Sequence, residues 1–183
     1  MFSWHKFTHP GVLKLISVSL LLLWTSSSGL ARESEEIFSI YLVRHAEKDA
    51  SQANPENPGL SECGESRAES LARILADAEL EKVYSTDYRR TRETALPVAS
   101  QLSLEVEFYD PDELAGFSRT LLHQQKDVLV VGHSNTTPVL AGLLAGEMLE
   151  PFDEAIYDRL YLVTVSGGQS RMTLLHQGFR CDS

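Results

Sequence analysis

The chain has 183 residues, of which 43% are hydrophobic, and a formal net charge of −10 at pH 7. This length and composition suit one globular domain with a hydrophobic core, and the sequence shows no tandem repeat or low-complexity tract. A protein of this negative charge repels both nucleic acid and anionic membrane surfaces, so neither is expected as a partner.

The first 31 residues have the pattern of a secretory signal peptide. Two lysines supply positive charge, residues 15–24 form an almost wholly apolar run, and small residues precede a cut expected before Arg32. The apolar run is about half of the ~20 residues that span a bilayer, which favours cleavage over the alternative of an uncleaved anchor. We therefore expect a signal peptide at 1–31 and a periplasmic or secreted domain at 32–183, with no membrane insertion after cleavage.

Strand-like and helix-like segments alternate along the remaining chain. The pattern predicts strands at 37–41, 82–85, 104–108 and 127–131, helices at 62–78, 88–102, 112–125 and 136–149, and a final hairpin of 160–165 with 172–176 across two glycines. This order predicts an α/β fold of three layers, α/β/α, around a mainly parallel sheet. The stretch 108–122 is too short for a large cap, so the site is expected to be open.

Histidine and arginine side chains follow two of the predicted strands. Arg44 and His45 come directly after the first, and His133 follows the buried fourth strand. A guanidinium fits two phosphate oxygens, and a neutral histidine can act as a nucleophile. Between them, residues 84–95 open a helix whose first amides favour anions. Because ligands bind beyond the C-terminal ends of parallel strands, these segments predict one anion site.

Four ordered motifs of the chain resemble those of the histidine phosphatase superfamily, which includes cofactor-dependent phosphoglycerate mutases and many phosphatases. The motifs are Arg44-His45-Ala46-Glu47-Lys48, Leu60-Ser61-x-x-Gly64-x-x-Arg67-Ala68, Arg90-Thr91-x-x-Thr94-Ala95 and Gly132-His133-Ser134-Asn135-Thr136. The resemblance extends in order over essentially all of residues 32–183 and implies a phosphoglycerate mutase-like fold with a minimal cap.

The resemblance also implies a role for each motif residue. His45 would be the nucleophile that forms a phosphohistidine, which water then hydrolyses. Arg44 and Arg90 would hold the phosphoryl oxygens together with Asn135, and His133 would donate to them as charge builds. No metal or cofactor is expected, because cationic side chains neutralise the phosphate.

Two site assignments stay open at this point. Counting from the preceding strand would select Arg89 as the second arginine that binds the phosphoryl oxygens, whereas the motif selects Arg90. The general acid is expected to be Glu113, because Ser134 occupies the place where one branch of the superfamily carries an aspartate. The alternatives for the acid are Asp110, Asp112 and Glu47, and Lys48 either adds charge at the rim or forms an exposed salt bridge.

The expected function is hydrolysis of phosphomonoesters by an exported phosphatase. The substrate would be a small phosphorylated molecule, for example a sugar phosphate of the cell envelope. Two alternatives are a catalytically weak phosphate-binding or scaffold protein of the same fold and a phosphohistidine protein phosphatase. The sequence leaves open whether Cys63 and Cys181 form a disulfide.

Overall fold

The computed structural model describes Met1, residues 36–51 and residues 54–181. Six strands and four helices alternate through one compact unit, Ser34–Ser183. The strands are β1 Ile37–Arg44, β2 Lys82–Ser85, β3 Val106–Phe108, β4 Val128–Gly132, β5 Arg159–Ser166 and β6 Gln169–His176, and the helices are α1 Glu62–Ile74, α2 Arg89–Leu102, α3 Leu114–Gln124 and α4 Thr137–Ala145.

The strands form one sheet in the order β3-β2-β4-β1-β5-β6. Strands β3, β2, β4 and β1 are parallel, whereas β5 and β6 run antiparallel at one side. Gly167 and Gly168 have φ values of 56° and 74° and make the tight turn of the final hairpin. The mixed, mainly parallel sheet and the hairpin are therefore confirmed.

The central strand β4 shows why the sheet is covered on both faces. Val128 and Val130 pack into one hydrophobic cluster, and Leu129 and Val131 pack into another. Successive side chains of a strand point to opposite faces, so a continuous apolar run needs cover on both sides. Helices α1 and α2 supply the second cluster, while α3 and α4 contact the first.

Pairing between β1 and β4 sets the position of the predicted site. Arg44 lies opposite Gly132, and the His45 amide donates to the Gly132 carbonyl at 2.9 Å. At the other end of the pair, Asp127 accepts a hydrogen bond from the Ser39 amide at 2.6 Å. The ends of the two strands that carry the histidine motifs are thus held side by side.

Two helices end four residues earlier than the sequence predicted. Helix α1 ends at Ile74 rather than at residue 78, and α4 ends at Ala145 rather than at residue 149. Gly146 has φ 69°, a left-handed conformation that closes the last turn of α4. Helix α2 runs unbroken through Pro97.

A disulfide joins Cys63 of α1 to Cys181 in the tail that follows β6, with their Cα atoms 5.7 Å apart. This answers the question that the cysteine count left open. The predicted signal peptide at 1–31 lies outside the described residues, apart from Met1, and stays a prediction. Within the described part of the chain, no helix combines the length and apolarity needed to cross a membrane.

Candidate active site

A cavity of about 400 Å³ opens at the C-terminal ends of the parallel strands. Its wall draws on the strand ends and the loops that follow them, and it brings together most of the predicted site residues. The lining residues are Arg44, His45, Lys48, Tyr88, Arg90, Pro111, Asp112, His133, Ser134, Asn135, Thr136 and Glu154.

His45 is held as a neutral ring with one nitrogen free. It is 3% exposed, and its Nδ1 lies 2.8 Å from the Ala46 carbonyl oxygen. Because a carbonyl only accepts, Nδ1 carries the ring proton and Nε2 keeps its lone pair. Burial lowers the pKa of His45 to about 2, the Ala46 hydrogen bond opposes this, and the Arg44 charge adds to the lowering. The ring is therefore an unprotonated nucleophile at neutral pH.

Thr94 fixes the backbone beside this histidine. Its Oγ1 accepts the Ala46 amide at 2.9 Å and donates to the Arg90 carbonyl at 2.8 Å. Thr94 is 2% exposed, so water does not replace these bonds. The motif threonine on α2 thereby orients the peptide that follows the nucleophile.

Two guanidinium groups present buried donors at the cavity. The Nε atoms of Arg44 and Arg90 are buried and have no hydrogen-bond acceptor among the described residues. Burial lowers the pKa of both side chains from the ordinary arginine value, yet arginine stays protonated in proteins. A buried charged donor without a partner is costly, so the pair is suited to an anion with several oxygens.

The structure distinguishes the two candidate arginines of α2. Arg90 lines the cavity, with its guanidinium carbon 4.6 Å from the centre of the Tyr88 ring. Arg89 points elsewhere and pairs with Glu93 at 2.7 Å. The structure thus places the motif arginine, rather than its neighbour, beside Arg44 and His45.

His133 faces His45 across the cavity. The two ring centroids are 5.4 Å apart, and the Thr86 hydroxyl lies 3.0 Å from His133 Nε2. Burial, together with the charges of Arg90 and Arg44, lowers the pKa of His133 to about 4. The ring is therefore neutral at pH 7. A Cβ on the preceding Gly132 would stand 2.7 Å from the Tyr109 hydroxyl, so this close packing requires glycine.

Of the two adjacent acids before α3, only Asp112 lines the cavity, and the assignment of the general acid to Glu113 stays an untested prediction. Glu113 occupies the N-cap position of α3 and is not among the described residues that line the cavity, whereas Asp112 is. The Asp112 and Glu113 amides both donate to Asp110, so the chain turns sharply here. Glu47 does not line the cavity, and its carboxylate accepts three hydrogen bonds of 2.6–2.9 Å from Arg67.

Several wall residues were not predicted from the sequence as parts of the site. Tyr88 lines the cavity, and the buried Thr86 contacts His133 behind the wall. Both fall inside the segment 84–95, so an inspection of that segment could have found them. Glu154 comes from a loop more than a hundred residues from Lys48, with which it pairs at 3.4 Å. The sequence carries no local signal for that contact.

One group of possible metal ligands occurs among the described residues, namely Glu47, Cys63 and Cys181. Both sulfurs are joined in the disulfide, and the carboxylate is bonded to Arg67. These commitments make the group a poor metal site, and none of its members lines the cavity. The expectation that no metal acts in the reaction stays a prediction.

Residues 40–111 match the family model of the histidine phosphatase superfamily, branch 1. Over these residues the chain is similar to that superfamily. Among curated histidine phosphatase relatives, phosphoserine phosphatase 1 of Hydrogenobacter thermophilus is 40% identical over 74 residues, which cover 37% of this chain and 34% of that protein. The match thus spans about a third of the relative's length.

Solved structures support the histidine phosphatase fold over more of the chain. The protein histidine phosphatase SixA complexed with tungstate has a TM-score of 0.64 at 18% identity, with 76% of this chain and 97% of that chain covered. A mycobacterial glucosyl-3-phosphoglycerate phosphatase has a TM-score of 0.57 at 14% identity, with 78% and 100% covered. At these identities the likeness establishes the fold.

Proposed function

We propose that this chain hydrolyses phosphomonoesters through a phosphohistidine on His45, without a metal ion. The observation that carries the proposal is a cavity lined by the neutral ring of His45, by the opposing His133, and by Arg44 and Arg90, whose Nε donors have no partner among the described residues. Nucleophile, donors and counter-charges for a phosphoryl group thus converge on one place.

In the first step, the Nε2 lone pair of His45 forms a bond to phosphorus as the bond to the leaving oxygen breaks. Arg44 and Arg90 donate to the phosphoryl oxygens, and His133 supplies a further donor from the opposite wall. The phosphorylated ring carries positive charge, which the Nδ1 hydrogen bond to the Ala46 carbonyl stabilises. In the second step, water attacks phosphorus and the N–P electron pair returns to Nε2.

The leaving alkoxide needs a proton, and we assign its donor to Asp112 rather than to Glu113. Asp112 lines the cavity with the nucleophile, while Glu113 stands outside the wall. The carboxylate of Glu154 also reaches the cavity, but it pairs with Lys48 at the rim. Asp112 is therefore the acid that the geometry supports.

We further propose that the substrate is a small phosphorylated molecule handled outside the cytoplasm, such as a cell-envelope sugar phosphate. The signal-peptide pattern of residues 1–31 supports export. The disulfide between Cys63 and Cys181 agrees with it, because such bonds persist in oxidising compartments.

A phosphohistidine protein phosphatase is the second candidate. The cavity wall is built from residues of the one described domain, and no inserted cap domain separates β3 from α3 in the described chain. A protein-borne phosphate could therefore approach, as the name of the SixA structure suggests for that protein. Turnover of a phosphohistidine peptide well above that of sugar phosphates would favour this candidate.

The deciding experiment measures hydrolysis of 4-nitrophenyl phosphate in EDTA by the chain and two variants. We expect turnover by the parent and a loss of at least about a thousandfold in His45→Ala, because removing a nucleophile abolishes the covalent route. His123→Ala, which changes a histidine of α3 outside the cavity, is the matched control. Acid-labile, base-stable phosphate trapped on the parent but not on His45→Ala would establish the intermediate. Equal rates for parent and His45→Ala would refute the proposal.

A further inference from the structure

One loop, residues 154–157, contacts the guanidinium of Arg44. Its Nη1 donates to the Glu154 carbonyl and, at 3.1 Å, to the Ile156 carbonyl. Its central carbon lies 4.2 Å from the centre of the Tyr157 ring. Two carbonyls and one aromatic face thus fix the plane of the guanidinium and leave its Nε without a protein acceptor among the described residues. We call residues 154–157 the Arg44 socket.

The Tyr157 ring also approaches the nucleophile. Its centroid lies 6.2 Å from that of His45, with the ring planes at 61°. Tyr157 does not line the catalytic cavity, so it has no direct route to a bound anion. Any effect of this side chain on anion binding must therefore pass through a neighbour, and Arg44 is the neighbour that its ring faces.

The socket lies outside helices and strands, and it lines a second cavity together with the C-terminal tail, residues 177–181. The Gln177 amide donates to the Asp158 carbonyl at 2.7 Å. Further along the tail, the Phe179 carbonyl accepts from Arg67 at 3.2 Å, and Cys181 is bonded to Cys63. The disulfide thereby ties to α1 the segment that is bonded to Asp158, the residue directly after the socket.

We propose that Tyr157, carried by a socket that the disulfide-linked tail holds in place, is a positioning residue that aims the Arg44 guanidinium at the bound anion. The inference rests on the proposed function only in taking Arg44 as an anion-binding residue. It gives the loop and the tail a role in anion affinity, although neither belongs to the recognised motifs.

The test is the dissociation constant for tungstate, a tetrahedral oxyanion, measured by calorimetry on the full chain. Tyr157→Leu should weaken binding about tenfold, whereas Tyr157→Phe, which keeps the ring, should stay within about twofold of the parent. Tyr157 is half-buried and also lines a second cavity of about 580 Å³, so the smaller side chain leaves no closed void.

A double-mutant cycle shows whether the effect passes through Arg44. In an Arg44→Lys background, Tyr157→Leu should change affinity less than about twofold, since the planar group it orients is gone. In an Arg90→Lys background, which keeps the positive charge, the full tenfold loss should persist, because the Tyr157 ring faces the guanidinium of Arg44 while that of Arg90 faces Tyr88. An equal loss in all three backgrounds, or no loss in the parent, would overturn the proposal.

Reduction of the disulfide tests the tail. Treating the folded parent with dithiothreitol should weaken tungstate binding with the same dependence on Arg44, and reoxidation should restore it. Unchanged affinity after complete reduction would overturn the role of the tail. If Tyr157→Leu does not fold, the reversible reduction of the disulfide, measured in the parent and in Arg44→Lys, tests the proposal instead. Binding without any turnover would refute the proposed function while leaving this inference intact.

Discussion

Replacing Thr94 with valine tests whether the backbone beside His45 must be fixed for activity. Valine has nearly the same shape, so the change removes one hydroxyl while preserving the packing. The Ala46 amide then loses its partner at 2.9 Å in a region where Ala46 is 0% and Thr94 2% exposed. An unsatisfied buried donor costs about 1–3 kcal/mol, so the free energy of unfolding should fall by that amount.

The same variant should lose activity beyond its loss of stability. The freed peptide links His45 to Ala46, whose carbonyl holds the ring at 2.8 Å. A shift of the nucleophile by a fraction of an ångström should lower kcat/KM by about tenfold or more. The measurements are urea unfolding of the oxidised protein and initial rates with 4-nitrophenyl phosphate, taken under conditions in which the variant is fully folded.

Thr120→Val provides the matched control. Thr120 also donates to the carbonyl four residues earlier, at 3.2 Å from Gly116, but it is exposed on α3 and its hydroxyl bonds to no other element among the described residues. It should therefore unfold and react like the parent. If Thr94→Val and Thr120→Val agree within about 0.5 kcal/mol in stability and about twofold in kcat/KM, the reasoning about the Ala46 peptide is refuted.

Two further predictions concern protons. Burial lowers the pKa of His45 to about 2 and that of His133 to about 4, so both rings stay neutral in the folded chain near neutral pH. In the unfolded chain the same two rings bind protons below about pH 6.5. The free energy of unfolding should therefore fall as the pH drops from 6.5 toward 5. Measured by urea titration, this fall should be smaller by about 1–2 kcal/mol in His133→Asn. An identical pH dependence in parent and variant would contradict the buried neutral ring of His133. Asp112→Asn should slow hydrolysis of glycerol phosphate, whose poor leaving group needs a proton, by about a hundredfold while affecting 4-nitrophenyl phosphate much less. Glu113→Gln is the control for that comparison, and a larger effect of Glu113→Gln on glycerol phosphate would return the acid role to Glu113.

The sequence was sufficient for those parts of the site that follow directly from strand ends. Arg44, His45 and His133 stand at the ends of parallel strands, and a parallel sheet brings such ends to one edge whatever the loops do. Arg90 was selected by the family motif, which places an arginine four residues before Thr94, whereas counting from the preceding strand selected Arg89; in the structure Thr94 donates to the Arg90 carbonyl.

Other parts of the site depend on contacts that leave no local pattern. Asp112 and Glu113 are adjacent acids in a turn, and only the hydrogen bonds to Asp110 decide which one faces the cavity. Glu154 and Tyr157 reach Arg44 from a segment without helical or strand periodicity, so neither could be assigned from spacing. The disulfide could not be predicted from the sequence, because two cysteines 118 positions apart can equally remain unbonded.

The separation of the two imidazoles is an outcome of main-chain geometry rather than of loop shape. Each ring follows a strand, and the paired strands are aligned by Arg44 opposite Gly132 at one end and by Ser39 bonded to Asp127 at the other. Shifting one strand by one residue relative to its partner would turn every side chain on it to the opposite face of the sheet. The loops around the cavity can therefore differ in length between proteins without disturbing the 5.4 Å spacing, whereas an inserted or deleted residue within either strand would destroy it.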